Sequence, residues 1–242
     1  LKNTEVQAII NNELGHWWYK ERRHKLKKFL LTISIPSRVL DLGPAGGFQT
    51  KLAQEIFGTG NTFALEYNFA AAKVCKERIP LTINGDGETL PLKSKSFDVV
   101  ICMDTLEHIK NDSKVIKELF RILQPGGFAF ISVPSLQILW SKHDVSVGHF
   151  RRYEKKQLIN LFEKESFEIL QIEYFNVLMF PLMLISRVLG FYGKDNEVEG
   201  DHKTPNKYAN FCLGIIIKIE RLKVFRKFYG SSLFVILKKS NH

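Results

Sequence analysis

At 242 residues, 45% of them hydrophobic, the chain is long enough to bury an α/β core and too apolar for wholesale disorder. Its net charge of +10 suits a solvated basic surface, an anionic substrate or membrane, or nucleic acid, and its spread along the chain selects none of them. Three cysteines without a CxxC pair (Cys75, Cys102, Cys212) argue against a disulfide framework or a structural zinc site and suit a reducing cytoplasm, and no repeat, secretory leader or bilayer-length apolar run is visible.

Residues 4 to about 31 read as two helices broken near Gly15. The second opens with His16-Trp17-Trp18-Tyr19, three adjacent aromatics that cannot share one helix face. An alternating pattern follows. Arg38–Asp41 is a short strand ending in a carboxylate, Gly43–Gly47 a glycine-rich turn, and Phe48–Phe57 a helix. Thr62–Glu66 is a second strand with a terminal carboxylate, followed by a helix over Phe69–Arg78 and a weak third strand over Leu81–Asn84. Phe97–Met103 is a strongly apolar fourth strand. A helix over Ser113–Leu123 is ended by Pro125-Gly126-Gly127, with a fifth strand over Phe128–Val133. A polar segment, Ser135–Tyr153, precedes a helix over Glu154–Lys164 and a sixth strand over Phe167–Tyr174. An insertion then runs through an apolar stretch (Phe175–Leu189) that Pro181 should break, a polar loop (Gly193–Pro205) and a basic amphipathic helix to about Phe228. Ser232–Lys238 closes the chain as the last strand.

Strands alternating with helices at this spacing imply a doubly wound α/β fold. We expect a mostly parallel seven-stranded sheet with N-terminal helices and a helical insertion before the last strand. No linker separates independent units, so residues 1–242 are expected to form one domain. Its parts are an N-terminal helical cap (1–35), a cofactor-binding core (36–134) and a substrate-side segment (135–242).

In such a sheet, ligands bind at the carboxyl ends of the strands, near the point where strand order reverses. The candidates there are Asp41, Gly43, Ala45 and Gly47 in the first turn, and Glu66, whose carboxylate can accept both hydroxyls of a ribose. Asp86 and Gly87 after the third strand, where Asp86 can accept from an adenine amino group, and Met103 at the end of the fourth complete the set. The nicotinamide-dinucleotide pattern G-x-G-x-x-G is not met, because the second and third glycine positions hold Ala45 and Phe48.

Together, Val39–Gly47, Glu66, Gly85–Glu88, Leu90-Pro91, Ser96–Val100, Leu106–Ile109 and Leu123–Gly127 resemble, in order, the motifs of class I S-adenosylmethionine-dependent methyltransferases. The resemblance covers about Arg38–Pro134 and implies S-adenosyl-L-methionine as cofactor, with S-adenosyl-L-homocysteine as product. Ala45 departs from it, since glycine is usual at that position.

On the acceptor side, Trp140, His143, Asp144, His149, Arg151, Arg152 and Tyr153 crowd one segment that should hang over the carboxyl edge. His149 is the candidate base, with His143, His16 and His108 as substitutes, and Tyr153 and Arg152 are expected to orient the acceptor. This segment and His16–Tyr19 resemble a bacterial subgroup acting on small molecules, lipids or glycans. The acceptor is therefore expected to be a small molecule or a lipid- or glycan-linked group, in the cytoplasm, with peripheral membrane contact through the 175–228 insertion as one alternative to a lid or dimer face. RNA or tRNA methylation, a non-catalytic cofactor-binding module and an NAD-dependent oxidoreductase are the competing readings. No N-P-P-Y-like tetrapeptide, Pro-Cys loop or appended RNA-binding domain favours the first, and no metal ligand set is expected.

Overall fold

The computed structural model describes residues 10–34, 37–188, 205–222, 224–225 and 228–240. The chain enters through a helical turn at residues 10–12 and helix α1 (Trp17–Leu30). It then alternates β1 (Val39–Leu42), α2 (Phe48–Phe57), β2 (Thr62–Glu66), α3 (Phe69–Arg78), β3 (Thr82–Asn84), β4 (Phe97–Met103), α4 (Asp112–Ile122) and β5 (Leu123–Pro134). The short helix α5 (Lys142–Ser146), α6 (Lys155–Lys164), β6 (Phe167–Phe175), α7 (Phe180–Val188), α8 (Lys207–Ile219) and β7 (Ser232–Lys239) complete it. The seven strands form one sheet in the order β3-β2-β1-β4-β5-β7-β6. Of these seven strands, β7 alone runs opposite in direction to the other six. Strand order reverses between β1 and β4, which opens a crevice at their carboxyl ends.

The apolar character of β1 and β4 follows from burial on both faces. Side chains alternate along a strand, so Leu40, Leu42, Val100 and Cys102 pack with Val115, Ile116 and Leu119 of α4 and with Leu158 and Phe162 of α6. Val39, Val99, Ile101 and Met103 face Leu26, Phe29 and Leu30 of α1 and Leu52 and Phe57 of α2.

Three expectations are corrected. Strand β5 begins at Leu123, and Pro125-Gly126-Gly127 forms a bulge inside it rather than a break before it. Gly127 permits this, because a Cβ there would stand 2.9 Å from the Gln124 carbonyl oxygen and 3.0 Å from that of Asp98. Pro181 occupies the first turn of α7, where its missing N–H costs nothing, so it starts the helix instead of breaking it. Helix α8 ends at Ile219, so Arg221 lies past it, while Lys223, Arg226 and Lys227 lie outside the described residues, as does the expected polar loop except for Pro205. Arg221, itself exposed, reaches back to pair with buried Glu21 of α1 at 2.6 Å. Asn210 of α8 accepts from the Trp17 amide at 2.9 Å and donates to the Gly15 carbonyl at 3.1 Å. These contacts fasten the insertion onto the N-terminal helix.

The ends of β5, β6 and β7 meet at Gly230, whose carbonyl accepts from the buried Ser135 hydroxyl. A Cβ at Gly230 would collide with the Phe175 carbonyl. Gly230→Ala should therefore lose about 1–3 kcal/mol of stability, the usual cost of overpacking, read as a lower urea midpoint at unchanged slope.

Candidate active site

The turn after β1 is built to bring backbone close to a ligand. Gly43 and Gly47 have φ of 73° and 78°, and Ala45 adopts φ 50°, a left-handed conformation that costs an L-residue roughly 1 kcal/mol. The turn is held in three places. The Gly43 amide donates to the Leu65 carbonyl at 2.8 Å, the Ala45 amide to Glu66 Oε2 at 3.0 Å, and Arg78 to the Gly46 carbonyl at 2.7 Å. Glu66 Oε1 accepts from the Asn68 amide at 2.8 Å. Burial raises the Glu66 pKa, partly countered by those two amides. Each of its oxygens retains a lone pair for a hydroxyl donor. Asp41 is buried and accepts from Thr50 at 2.7 Å, and burial pushes its carboxyl up to about 7.

The remaining cofactor-side candidates are spread around this turn. Asp86 is exposed and accepts from the Glu88 amide at 2.8 Å. Gly87 is buried under Ile109 and Leu42, and Met103 belongs to the α1-side core. Thr105 joins β1 to the segment after β4 by donating to the Leu42 carbonyl at 3.1 Å.

Four residues not anticipated from sequence complete this region. Arg22, on α1, pairs with Asp104 at 3.1 Å, and Ser132 donates to the other Asp104 oxygen at 2.8 Å. Asp104 has φ 50° directly after β4, a second left-handed residue at this edge. Glu13 is buried near Gly46, and burial lifts its carboxyl to about 8 against the opposing pull of Arg22. Glu13 Oε2 and Arg22 Nε are buried without a hydrogen-bond partner. An unpaired acceptor and an unpaired donor beside a glycine turn suit a ligand carrying both an ammonium and a carboxylate, as the methionyl end of S-adenosylmethionine does.

Across the crevice, Asp144 gathers residues expected on the acceptor side. It is fully buried and takes the Ser141 amide at 2.9 Å, Arg152 Nε at 2.8 Å and His149 Nδ1 at 2.9 Å. Burial opposes its charge, but His149 and Arg152 together hold its carboxyl well below the usual range. An ionised Asp144 makes Nδ1 the protonated nitrogen and leaves Nε2 as the basic one. That Nε2 lies 3.9 Å from Glu107 Oε1, and the Phe150 amide donates to the Glu107 carbonyl at 2.8 Å, tying the segment to the end of β4. Burial, reinforced by Asp104, raises the Glu107 pKa well above the ordinary value. The His108 and His143 rings lie edge-on to His149, at 4.6 and 6.4 Å between centroids. Glu107, His108 and His149 bring one ligand atom each within 4.8 Å of one another, a grouping able to hold a cation that the sequence did not suggest.

Tyr153 is set apart from this group. Its ring lies in the α4-side core, its hydroxyl donates to Asp112 at 3.0 Å, and burial raises its pKa strongly, so it braces α4 rather than facing an acceptor. Arg151 is likewise committed, to Asp112 at 2.6 Å and to the Lys110 carbonyl. Arg152 acts on Asp144, not on open space.

A family model described as a methyltransferase domain matches residues 40–131, from β1 into β5. The chain is 33% identical over 154 residues to a ubiquinone biosynthesis O-methyltransferase of Thiobacillus denitrificans, covering 54% of this chain and 64% of that protein. It is 28% identical over 128 residues to phthiotriol/phenolphthiotriol dimycocerosates methyltransferase 1 of Mycobacterium ulcerans, covering 50% and 47% respectively. Against the first curated relatives, the matched region spans 40% to 60% of their own length. Among solved structures, phosphoethanolamine N-methyltransferase 2 of Haemonchus contortus in complex with S-adenosyl-L-methionine superposes with a TM-score of 0.63 at 20% identity, over 99% of this chain and 57% of that one. At that identity the likeness is one of fold.

The raised carboxyls of Asp41 and Glu13 have a measurable consequence. Their folded pKa values, about 7 and about 8, exceed their ordinary values of 3.8 and 4.5. The folded ligand-free protein thus binds more protons than the unfolded chain in between, and stability falls as pH rises through that window. Thermal midpoints should drop from pH 5 to pH 8, and the pair Asp41→Asn with Glu13→Gln should flatten that slope.

Proposed function

We propose that this chain, which carries a class I S-adenosylmethionine-dependent methyltransferase domain, methylates a hydroxyl or amine of a small-molecule or lipid- or glycan-linked acceptor, with His149 as general base. S-adenosylmethionine supplies a methyl group already activated on a sulfonium. The protein's task is then to position the acceptor and take its proton.

The observation that carries the reading is the pairing of buried Asp144 with half-buried His149, set beside Glu107 at the same sheet edge as the glycine turn. In the proposed mechanism the Gly43–Gly47 turn, Asp41 and Glu66 hold the cofactor, with Arg22 and Glu13 offered to its carboxylate and ammonium. Asp144 fixes the imidazole so that Nε2 receives the acceptor proton, and it stabilises the imidazolium that forms. Arg152 positions Asp144. His143 borders the same space, and no acceptor contact is assigned to Tyr153.

The lipid-type acceptor is supported by the exposed apolar residues Leu182 and Ile185 of α7 and Phe211, Ile215 and Ile219 of α8. They would suit peripheral contact with a membrane. Among the described residues no helix is long and apolar enough to cross one.

Two substitutions separate cofactor binding from chemistry. Glu66→Ala should weaken S-adenosylmethionine binding by about 1–3 kcal/mol in calorimetry, the cost of losing charged hydrogen bonds. An unchanged affinity would remove Glu66 from the ribose site.

His149→Ala should lower turnover by about 10²–10⁴-fold with cofactor affinity intact. The assay is transfer of a labelled methyl to extracted lipids, saccharide intermediates and small metabolites. Asp144→Asn should lower turnover as well. Full turnover in His149→Ala would exclude a base at this position.

A further inference from the structure

Behind α1, on the side away from the glycine turn, a cavity of about 490 Å³ lies between that helix, the β5-β7-β6 part of the sheet and α8. Its apolar walls are Phe29 from α1, Phe130, Phe175, Phe234 and Ile236 from the sheet, and Ile217 from α8, and charged side chains such as Glu21, Lys28 and Glu173 line the rest. No residue of the glycine turn or of the Asp144 cluster reaches it. On α1 it is lined from Glu21 to Phe29, about 12 Å at the rise of an α-helix, so it is elongated along the helix.

Two features argue that this space is built for an occupant. The space is open on one side, so its ring-lined wall keeps apolar surface in water that an apolar occupant would cover. Two polar groups in the lining also fit the head of an amphiphile. The Lys25 amino group stands 5.0 and 5.3 Å over the Phe175 and Phe234 rings. Glu220 lines the cavity, is nine-tenths buried, and has an Oε2 without a hydrogen-bond partner although Oε1 accepts from the Leu178 amide at 2.7 Å. The cavity roof, α8, continues outward into exposed Phe211, Ile215 and Ile219.

We propose that this cavity binds the aliphatic chain of a lipid, with the chain along the aromatic wall and its polar end at Lys25 and Glu220. Nothing in this assignment requires the lipid to be the methyl acceptor, and it stands whether or not His149 is a base.

The test is calorimetric titration of the full chain with straight-chain alcohols of increasing length from octanol to tetradecanol, each below its aggregation limit. Saturable one-to-one binding is expected. Affinity should rise by about fourfold per methylene, the equivalent of burying one CH₂, and level off once the cavity is filled. Leu170→Trp, at the half-exposed edge of the cavity, and Ile217→Trp, in its roof, should each weaken binding by about tenfold or more. Both should leave cofactor affinity unchanged, and thermal unfolding identifies which of them are folded. The absence of saturable binding would overturn the proposal. So would affinity that climbs without levelling, or that ignores the substitution in a folded variant.

Discussion

The carboxyl edge of the sheet is governed by the cost of burying acidic groups. Asp41, Glu66, Glu107 and Asp144 are all buried there, and a buried charge is tolerated only where protons, hydrogen bonds or counter-charges compensate it. The protein uses a different solution for each. Glu66 is held by backbone amides, which makes it the strut of the glycine turn as well as a candidate ligand. Asp144 has Arg152 and His149 and stays ionised. Asp41 has only a threonine hydroxyl and a distant Arg22, and its carboxyl is pushed up to about 7. Glu107 keeps an oxygen with no partner at all. The two poorly compensated groups flank the crevice, where a cationic cofactor would supply the missing charge.

The fold was largely legible because each strand's burial on two faces writes a continuous apolar run into the sequence. Phe97–Met103 is the clearest example, read with its ends correct. The sequence misled where punctuation and structure part company. Pro125-Gly126-Gly127 signals an interruption, yet a glycine that tolerates backbone at 2.9 Å can sit in a bulge as well as in a break. The spacing after Ile219 stays amphipathic and suggests more helix, whereas Arg221 leaves the helix to pair with Glu21, 200 residues earlier.

The candidate site was legible in the same uneven way. Asp41, Glu66 and the glycine turn announce themselves by position at strand ends. Asp144 stood among the residues of its segment, but its place as the shared partner of His149 and Arg152 depends on how 141–152 folds back on itself. Arg22 and Asp104 meet across 82 positions of sequence, and no local pattern encodes that pairing. In sequence Tyr153 stands four residues from His149 and reads as a site residue. Strand-like pairing at Ser135 sends its side chain into the core instead.

Helix α1 shows why a row of aromatics opened it. Trp17, Trp18 and Tyr19 cannot share a face, and they do not. Tyr19 is buried with Arg22 toward the crevice, and Trp18 packs on Phe175 with ring centroids 4.8 Å apart. Phe175 is in turn a wall of the cavity that Lys25 and Phe29 line from the same helix. One helix therefore presents Arg22 to the crevice and Lys25 to the half-open groove, three residues apart. Its position is pinned from the insertion through Asn210 and Arg221. The same helix carries Arg22, paired with Asp104 at the end of β4. Through Asn210 and Arg221 the insertion thus helps fix where α1 presents Arg22 at the crevice.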